Sequence, residues 1–255
     1  MRKRGQVTTF MIVGLVILII FVLLFAVRRS GFGIKAQDYL QSSADDIKSK
    51  IDSCIEKNAM DVLDLIGKQG GYLNPSDNTY LMYNGYRVAY LCFNIPNTDQ
   101  CANAMVNKAD IEKQLNDYLG KNIQNCVQTN LGKSLLSTYD MSTSKINIRT
   151  TIEKNSVSFE VDPGITLTKG TSSLVIPAYK KAVSVPIGLL LDTTYFIVNE
   201  EADKGVFFEV PYMLSERGAV EVYKDQPYPD KIYILNARNS DYKFQFAIQS
   251  EGENE

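Results

Sequence analysis

The sequence contains no histidine and no tryptophan among its 255 residues. Without histidine the chain cannot form a Ser-His-Asp or Cys-His catalytic arrangement, a His-ligated zinc site or a histidine pH switch. Acidic residues are also absent from the first 35 positions, which hold six of the 27 cations. The remaining residues carry 21 cations against 29 acids. Because nucleic-acid binding needs clustered Lys and Arg, we expect no nucleic-acid partner.

Motifs that would indicate catalysis or a bound cofactor are missing as well. The sequence shows no P-loop, no EF-hand and no pair of carboxylates with metal-ligand spacing. Serine and lysine are numerous enough to leave a Ser-Lys dyad open, but no motif indicates one. Glu200, Glu201 and Asp203 close a predicted helix, and we expect them to face solvent. The sequence therefore predicts no enzyme, no cofactor and no metal site.

One long apolar run stands near the N-terminus, where every residue from Phe10 to Val27 is apolar or glycine. A run of this length matches the hydrocarbon core of a bilayer, so we predict a transmembrane anchor over residues 6–29. The cations that flank it are nearly balanced, with three on each side: Arg2, Lys3 and Arg4 before it, and Arg28, Arg29 and Lys35 after it. The charge rule slightly favours a cytoplasmic N-terminus and an extracytoplasmic C-terminal domain at the cell membrane, and a cytoplasmic domain stays open.

The residues just before this run, Lys3-Arg4-Gly5-Gln6, resemble the processing site of archaeal type IV pilin-like precursors. In that family a short basic leader is cut after glycine, so the resemblance implies a leader over residues 1–5 and cleavage between Gly5 and Gln6. Many of these pilins carry a glutamate early in the hydrophobic segment, where this chain has Phe10. An ordinary signal anchor is the alternative interpretation.

Four cysteines, Cys54, Cys92, Cys101 and Cys126, include no Cys-x-x-Cys pair. Because zinc sites usually take their ligands in close pairs, two disulfides are favoured over a four-cysteine zinc site or free thiols. Of the three possible pairings we prefer Cys54–Cys126 and Cys92–Cys101. Disulfides would place this region in an oxidising compartment.

Apolar residues at steps of three and four predict two more helices. The first covers Lys35–Gln69, starts after a break at Ser30–Gly33 and stops at Gly70-Gly71. The second covers about Ala109–Thr129. The anchor, the helix with Cys54, the segment Gln69–Tyr72 and the helix that ends at Cys126 together resemble uncharacterised anchored surface proteins of small-genome archaea.

A tyrosine-rich hairpin is predicted between these helices, with a tight turn at Asn84-Gly85. Its tyrosines suggest two interpretations. They could form an exposed contact surface, or their rings could pack over the two helices, which we prefer. The residues concerned are Tyr80, Tyr83, Tyr86 and Tyr90.

The remainder of the chain alternates in short runs that are typical of strands, with one helix at about Pro186–Asp203. The predicted strands are Ile146–Thr151, Val157–Val161, Ile165–Thr168, Leu174–Ala178, Val206–Val210, Val220–Tyr223, Lys231–Leu235 and Tyr242–Ile248. We expect the last two strands to pair and residues 251–255 to form a disordered tail.

Together these patterns predict an α+β protein. It would have an N-terminal transmembrane helix, a long amphipathic helix and a second helix, followed by a mostly antiparallel β region with one helix. The expected subdomains are residues 34–140, which carry the tyrosine hairpin and two disulfides, and the β-rich residues 141–250.

The predicted function is that of a single-pass, membrane-anchored extracytoplasmic surface protein with a structural or cell-contact role. The resemblance implies a type IV pilin-like subunit. The alternative is an anchored binding module, an adhesin or receptor component that does not assemble into filaments. Expected partners are the membrane and either further copies of the chain or other surface proteins.

Overall fold

The computed structural model describes residues 5–98, 100–130, 140–215 and 219–250, with the backbone alone described for 5–9 and 27–37. Most of the predicted leader and the predicted tail at 251–255 lie outside these residues. The described part holds four helices: α1 Gly5–Lys68, α2 Lys108–Asn130, α3 Ile187–Lys204 and α4 Glu209–Ser215. The α+β class predicted from the sequence is confirmed.

Twelve strands complete the described fold. They are β1 Tyr80–Tyr83, β2 Tyr86–Asn94, β3 Cys101–Asn103, β4 Asp140–Thr143, β5 Asn147–Ile152, β6 Val157–Asp162, β7 Ile165–Lys169, β8 Ser172–Val175, β9 Tyr179–Val183, β10 Val220–Asp225, β11 Lys231–Ala237 and β12 Lys243–Ile248. Strands β1 and β2 form the predicted hairpin. The last two strands, β11 and β12, pair as predicted.

The predicted transmembrane helix over residues 6–29 is wrong for this fold. No helix in the described part of the chain is both long enough and apolar enough to cross a membrane.

The predicted break at Ser30–Gly33 is also wrong, because α1 continues through it. Glycine inside a helix costs only about 1 kcal/mol relative to alanine, which neighbouring helical turns can offset. The predicted stop is confirmed. Gly70 and Gly71 have φ values of 69° and 95°, and the Gly71 N–H donates to the Ile66 carbonyl at 2.9 Å. This left-handed end satisfies a carbonyl that the helix leaves free.

The chain divides into two compact units. The first comprises residues 1–49, 131–143 and 165–176, and in its described part the sheet β4-β7-β8 is antiparallel throughout. Its buried apolar residues are Leu40, Ala44, Ile47, Ile165, Leu167 and Ile176. The expected subdomains 34–140 and 141–250 stay a prediction.

The second unit comprises residues 50–130, 144–164 and 177–255. Its larger sheet has the order β1-β2-β12-β11-β10, with β3 paired to β2, and only the β12–β2 pair is parallel. Helix α3 packs against β2, β3, β11 and β12. The largest fully buried side chains of this sheet are Tyr233, Phe244 and Phe246.

The predicted strand at Val206–Val210 is wrong. Its last two residues belong to α4, while Phe208 and Val210 are 65% and 63% exposed. A run of five apolar and acidic residues is too short for its period to separate a strand from a helix turn. The single helix expected in this half of the chain is accordingly two helices.

Helix α2 caps the edge of the smaller sheet β5-β6-β9 with its side chains. Along β5, the N–H groups of Ile152 and Thr150 donate to Glu112 and Asn116 of α2 at 2.8 and 2.7 Å. Four helix residues rise 6 Å and two strand residues about 6.6 Å, so the acceptors and donors stay in step. The next acceptor position is Gly120, and no side-chain acceptor meets the Ile148 N–H within the described chain.

Substituting Gly120 tests this missing hydrogen bond. No atom lies within 4 Å of a Cβ built at Gly120. Gly120→Ala should therefore raise the free energy of unfolding by about 1 kcal/mol through helix propensity. Gly120→Gln should add about 0.5–1.5 kcal/mol more by accepting the Ile148 N–H. Urea unfolding measures both variants, and equal stability of the two would show that the hydrogen bond does not form.

Candidate functional site

The second unit contains an open pocket of about 710 Å³ at one end of its larger sheet. Two loops, one helix end and one strand end form its wall. They are the β2–β3 connection with Asn94 and Thr98, the end of α3, the β10–β11 loop with Gln226 and Tyr228, and the end of β12 with Gln249. The parallel pairing of β12 with β2 brings these segments together, although they are far apart in the chain.

The C-terminal end of α3 gives the pocket its floor. Gly205 has a φ of 71° and its N–H donates to the Glu201 carbonyl at 3.0 Å, so the helix ends in a left-handed cap. Glu201 lies in the last turn, and its side chain is 1% exposed. The expectation that Glu201 faces solvent is therefore wrong. The sequence does hold a signal for this burial. At helical spacing Glu201 follows Thr194 and Ile197, which lie on the buried face of α3.

The Glu201 carboxylate is fully engaged inside the protein. One oxygen accepts a hydrogen bond from Lys231 Nζ at 2.6 Å, and the other accepts from the Tyr233 hydroxyl and from the Phe207 N–H at 3.2 Å. Lys231 also donates to the Gly205 carbonyl at 2.9 Å. Burial, reinforced by the charge of Glu201, raises the pKa of Tyr233 above its ordinary value. We call Glu201, Lys231 and Tyr233 the Glu201 network.

The geometry of the Glu201 network indicates a structural role. A general acid or base needs a partly free group that can reach a reacting proton. Here both carboxylate oxygens and two of the three Lys231 hydrogens already have partners within the protein. The network neutralises a buried charge and ties α3 to β11.

Most of the polar groups left for a ligand among the described residues are uncharged. Lys204, at the rim, pairs with Glu200 at 2.6 Å. The side-chain amides of Asn94 and Gln226 make no hydrogen bond to the described part of the protein. Gln249 accepts the Asn94 N–H through its oxygen at 3.3 Å, which leaves its NH₂ group available. No sequence pattern indicates these residues, because only the tertiary pairing of β2 with β12 brings them together.

The predicted tyrosine surface is half-buried in the structure. Tyr83, Tyr86 and Tyr90 share one face of the hairpin and pack against the sheet residues Val88, Ile232 and Ala247. Tyr80 lies on the opposite face, where the Arg87 guanidinium stands 5.1 Å from its ring centre. Three of the rings therefore pack on the sheet, and the Tyr86 ring centre also lies 4.9 Å from Nζ of Lys68 at the end of α1.

Three of these tyrosine hydroxyls bond to the protein itself. Tyr83 donates to Asp225 at 2.7 Å and Tyr90 donates to Asp230 at 2.6 Å. Tyr86 accepts from Lys68 at 3.2 Å. Burial and the hydrogen bond to Asp230 raise the pKa of Tyr90. A contact role for the four tyrosines stays a prediction, and most of their polar capacity is already used within the fold.

Two disulfide bonds hold the second unit together. Cys54 of α1 is joined to Cys126 of α2, and Cys92 of β2 to Cys101 of β3. These are the pairs preferred from the sequence, and all four cysteines are used. The second bond fixes the base of the β2–β3 loop that lines the pocket.

The other predicted site residues, Gly5 and Gln6, lie in the first turn of α1, and their side chains are outside the described set. Among the described residues no group of histidine, cysteine or carboxylate side chains is placed to hold a metal ion. Comparison with protein-family models, with curated proteins and with solved structures finds no match to this chain.

Proposed function

We propose that this chain is an exported protein of the cell surface with a structural or cell-contact role and no catalytic activity. The observation that carries the proposal is the pair of disulfides Cys54–Cys126 and Cys92–Cys101. Structural disulfides persist in oxidising compartments and are rare where glutathione and thioredoxin keep thiols reduced. A domain stabilised by two of them fits an extracytoplasmic location.

An exposed apolar stretch near the start of α1 supports the structural side of this role. The large apolar side chains from Phe10 to Phe25 are between 47% and 81% exposed, on every face of α1. Contiguous exposed apolar surface of this extent marks an interaction site. The stretch has no charged residue that a polar partner could recognise. We infer that the same stretch of other copies covers it, which agrees with the pilin-like resemblance of Lys3–Gln6.

A second candidate is the binding module. The pocket of about 710 Å³ in the second unit favours it, because a concave surface with convergent polar groups is the usual form of a ligand site. The two candidates differ in what the apolar stretch does. A self-associating surface protein requires it, whereas a binding module would keep its activity as a monomer.

The intact mass of the protein from its native cells, with and without reduction before alkylation, tests the proposal. We expect a chain that lacks residues 1–5 and whose four cysteines are alkylated only after reduction. Cross-linking of the same preparation should give dimers and larger species. Four thiols that alkylate without reduction would contradict an extracytoplasmic location. A retained leader would contradict pilin-type processing while leaving the location standing.

A further inference from the structure

We propose that the pocket at the end of α3 binds a neutral saccharide. This inference concerns the pocket itself and does not depend on the cellular location proposed above. Four features of the pocket carry it: its paired charges, its free amide groups, an exposed tyrosine at its rim and its size.

The charged residues of the pocket wall already pair with residues of opposite charge. Lys231 and Glu201 pair at 2.6 Å, with Glu201 buried, and Lys204 pairs with Glu200 at 2.6 Å. Removing one member of a buried pair costs several kcal/mol, so the pair stays intact when a ligand enters. An anion would also meet the carboxylate of Glu201, and a cation would meet the ammonium of Lys231. The paired charges therefore favour a ligand without net charge.

The uncharged groups match a ligand that is rich in hydroxyls. A carboxamide offers two donor hydrogens and an acceptor oxygen, and a hydroxyl likewise both donates and accepts. Asn94 at the end of β2 and Gln226 in the β10–β11 loop both line the pocket, and Gln249 adds its NH₂ group just after β12. A polyhydroxylated ring can satisfy all three amides at once, which an apolar ligand cannot.

Tyr228 supplies the apolar contact that a sugar ring requires. Its side chain is 74% exposed at the rim, although aromatic rings are usually buried. Prolines on both sides of it, Pro227 and Pro229, restrict the backbone of the loop, so little entropy is lost when the ring is held by a ligand. The flat face of a tyrosine can pack against the C–H groups of a pyranose.

The size of the pocket sets the length of the ligand. Small-molecule sites range from about 300 to 1,000 Å³, and a pocket of about 710 Å³ lies well within that range. The pocket is open to solvent, so it suits a short stretch of a longer glycan as well as a free oligosaccharide.

Saturation-transfer NMR on the full chain tests the proposal, with triacetylchitotriose, maltotriose and mannotriose as probes at up to about 10 mM, the range of weak binding. We expect at least one probe to receive saturation. Tyr228→Ala and Gln226→Ala should each weaken its binding on the order of tenfold, the effect of losing one good contact. Tyr195→Ala is the matched control, because Tyr195 is 58% exposed on α3 and is not part of the pocket wall.

Three outcomes would overturn the proposal. The first is that none of the three probes receives saturation. The second is that Tyr228→Ala and Gln226→Ala bind the probe as tightly as the control variant does. The third is displacement of the probe by inorganic phosphate or by tetraglycine, which would assign the pocket to an anion or a peptide. Both substituted residues are exposed, so the variants should keep the unfolding temperature of the unsubstituted protein.

Discussion

Replacing Cys54 and Cys126 together with alanine should lower the free energy of unfolding by about 4.4 kcal/mol. The bond closes a loop with a sequence separation of 72 residues, and loop closure in the unfolded chain gives this value. Cys92→Ala with Cys101→Ala should cost less, about 2.6 kcal/mol, because the separation there is 9 residues. The ranking of the two double variants follows from loop length alone. Urea unfolding of both, at one pH, measures it.

Reduction of the unsubstituted protein distinguishes the effect of losing the disulfide bonds from the effect of losing the cysteine side chains. Cys54 is 1% exposed and Cys92 is fully buried, so alanine at these positions also removes packing. Reduction alone removes the cross-link and leaves the sulfur atoms in place. We expect the reduced protein to be destabilised almost as much as a variant that lacks both bonds. Equal losses from the two double variants would contradict the loop-length explanation.

Local signals in the sequence predicted local structure well. Asn84 and Gly85 have φ values of 47° and 83°, the left-handed conformation that a tight hairpin turn requires and that these two residue types adopt. The glycines after Lys68 end α1 in the same way. In both cases the deciding interactions lie within a few residues of one another, so a short pattern contains all the information needed.

Interactions between distant segments could not be predicted in this way. The parallel pairing of β12 with β2 joins Ala247 to Tyr90, and no property of either strand identifies its partner. The pocket exists because of that pairing, so its amide residues look like ordinary loop residues in the sequence. Apolar length alone also gives a wrong prediction at the N-terminus, where the run predicts a membrane anchor.

The predicted strand at Val206–Val210 shows the same difficulty at short range. Phe207 is buried against the rings of Phe196 and Tyr212, with ring centres 6.1 and 5.5 Å away. Glu209 pairs with Lys224 at 2.9 Å at the start of α4. These tertiary contacts decide the conformation, because a five-residue apolar run is compatible with either a strand or a helix turn.

Lys231→Met should lower the free energy of unfolding by about 3–5 kcal/mol, because it leaves the Glu201 carboxylate buried without its cation. Adding Glu201→Gln to this variant should recover part of the loss. A neutral amide can still accept hydrogen bonds from Tyr233 and the Phe207 N–H, and no buried charge then lacks a partner. The double variant is therefore expected to be more stable than Lys231→Met alone. Additive losses would show that the two residues do not form a coupled pair.

Because of Tyr233, the contribution of the Glu201 network to the free energy of unfolding depends on pH in alkaline solution. Its pKa is raised in the folded protein, so the folded chain keeps a proton that the unfolded chain loses above about pH 10. Its contribution to stability is fully present below that pH and falls as the pH rises through the folded pKa. Tyr233→Phe should therefore be less stable than the unsubstituted protein at pH 7, and the difference should shrink above about pH 10. Tyr195→Phe, which removes an exposed hydroxyl outside the Glu201 network, is the control. A Tyr233→Phe deficit that stays constant from pH 7 to pH 11 would mean that the hydroxyl acts through packing alone.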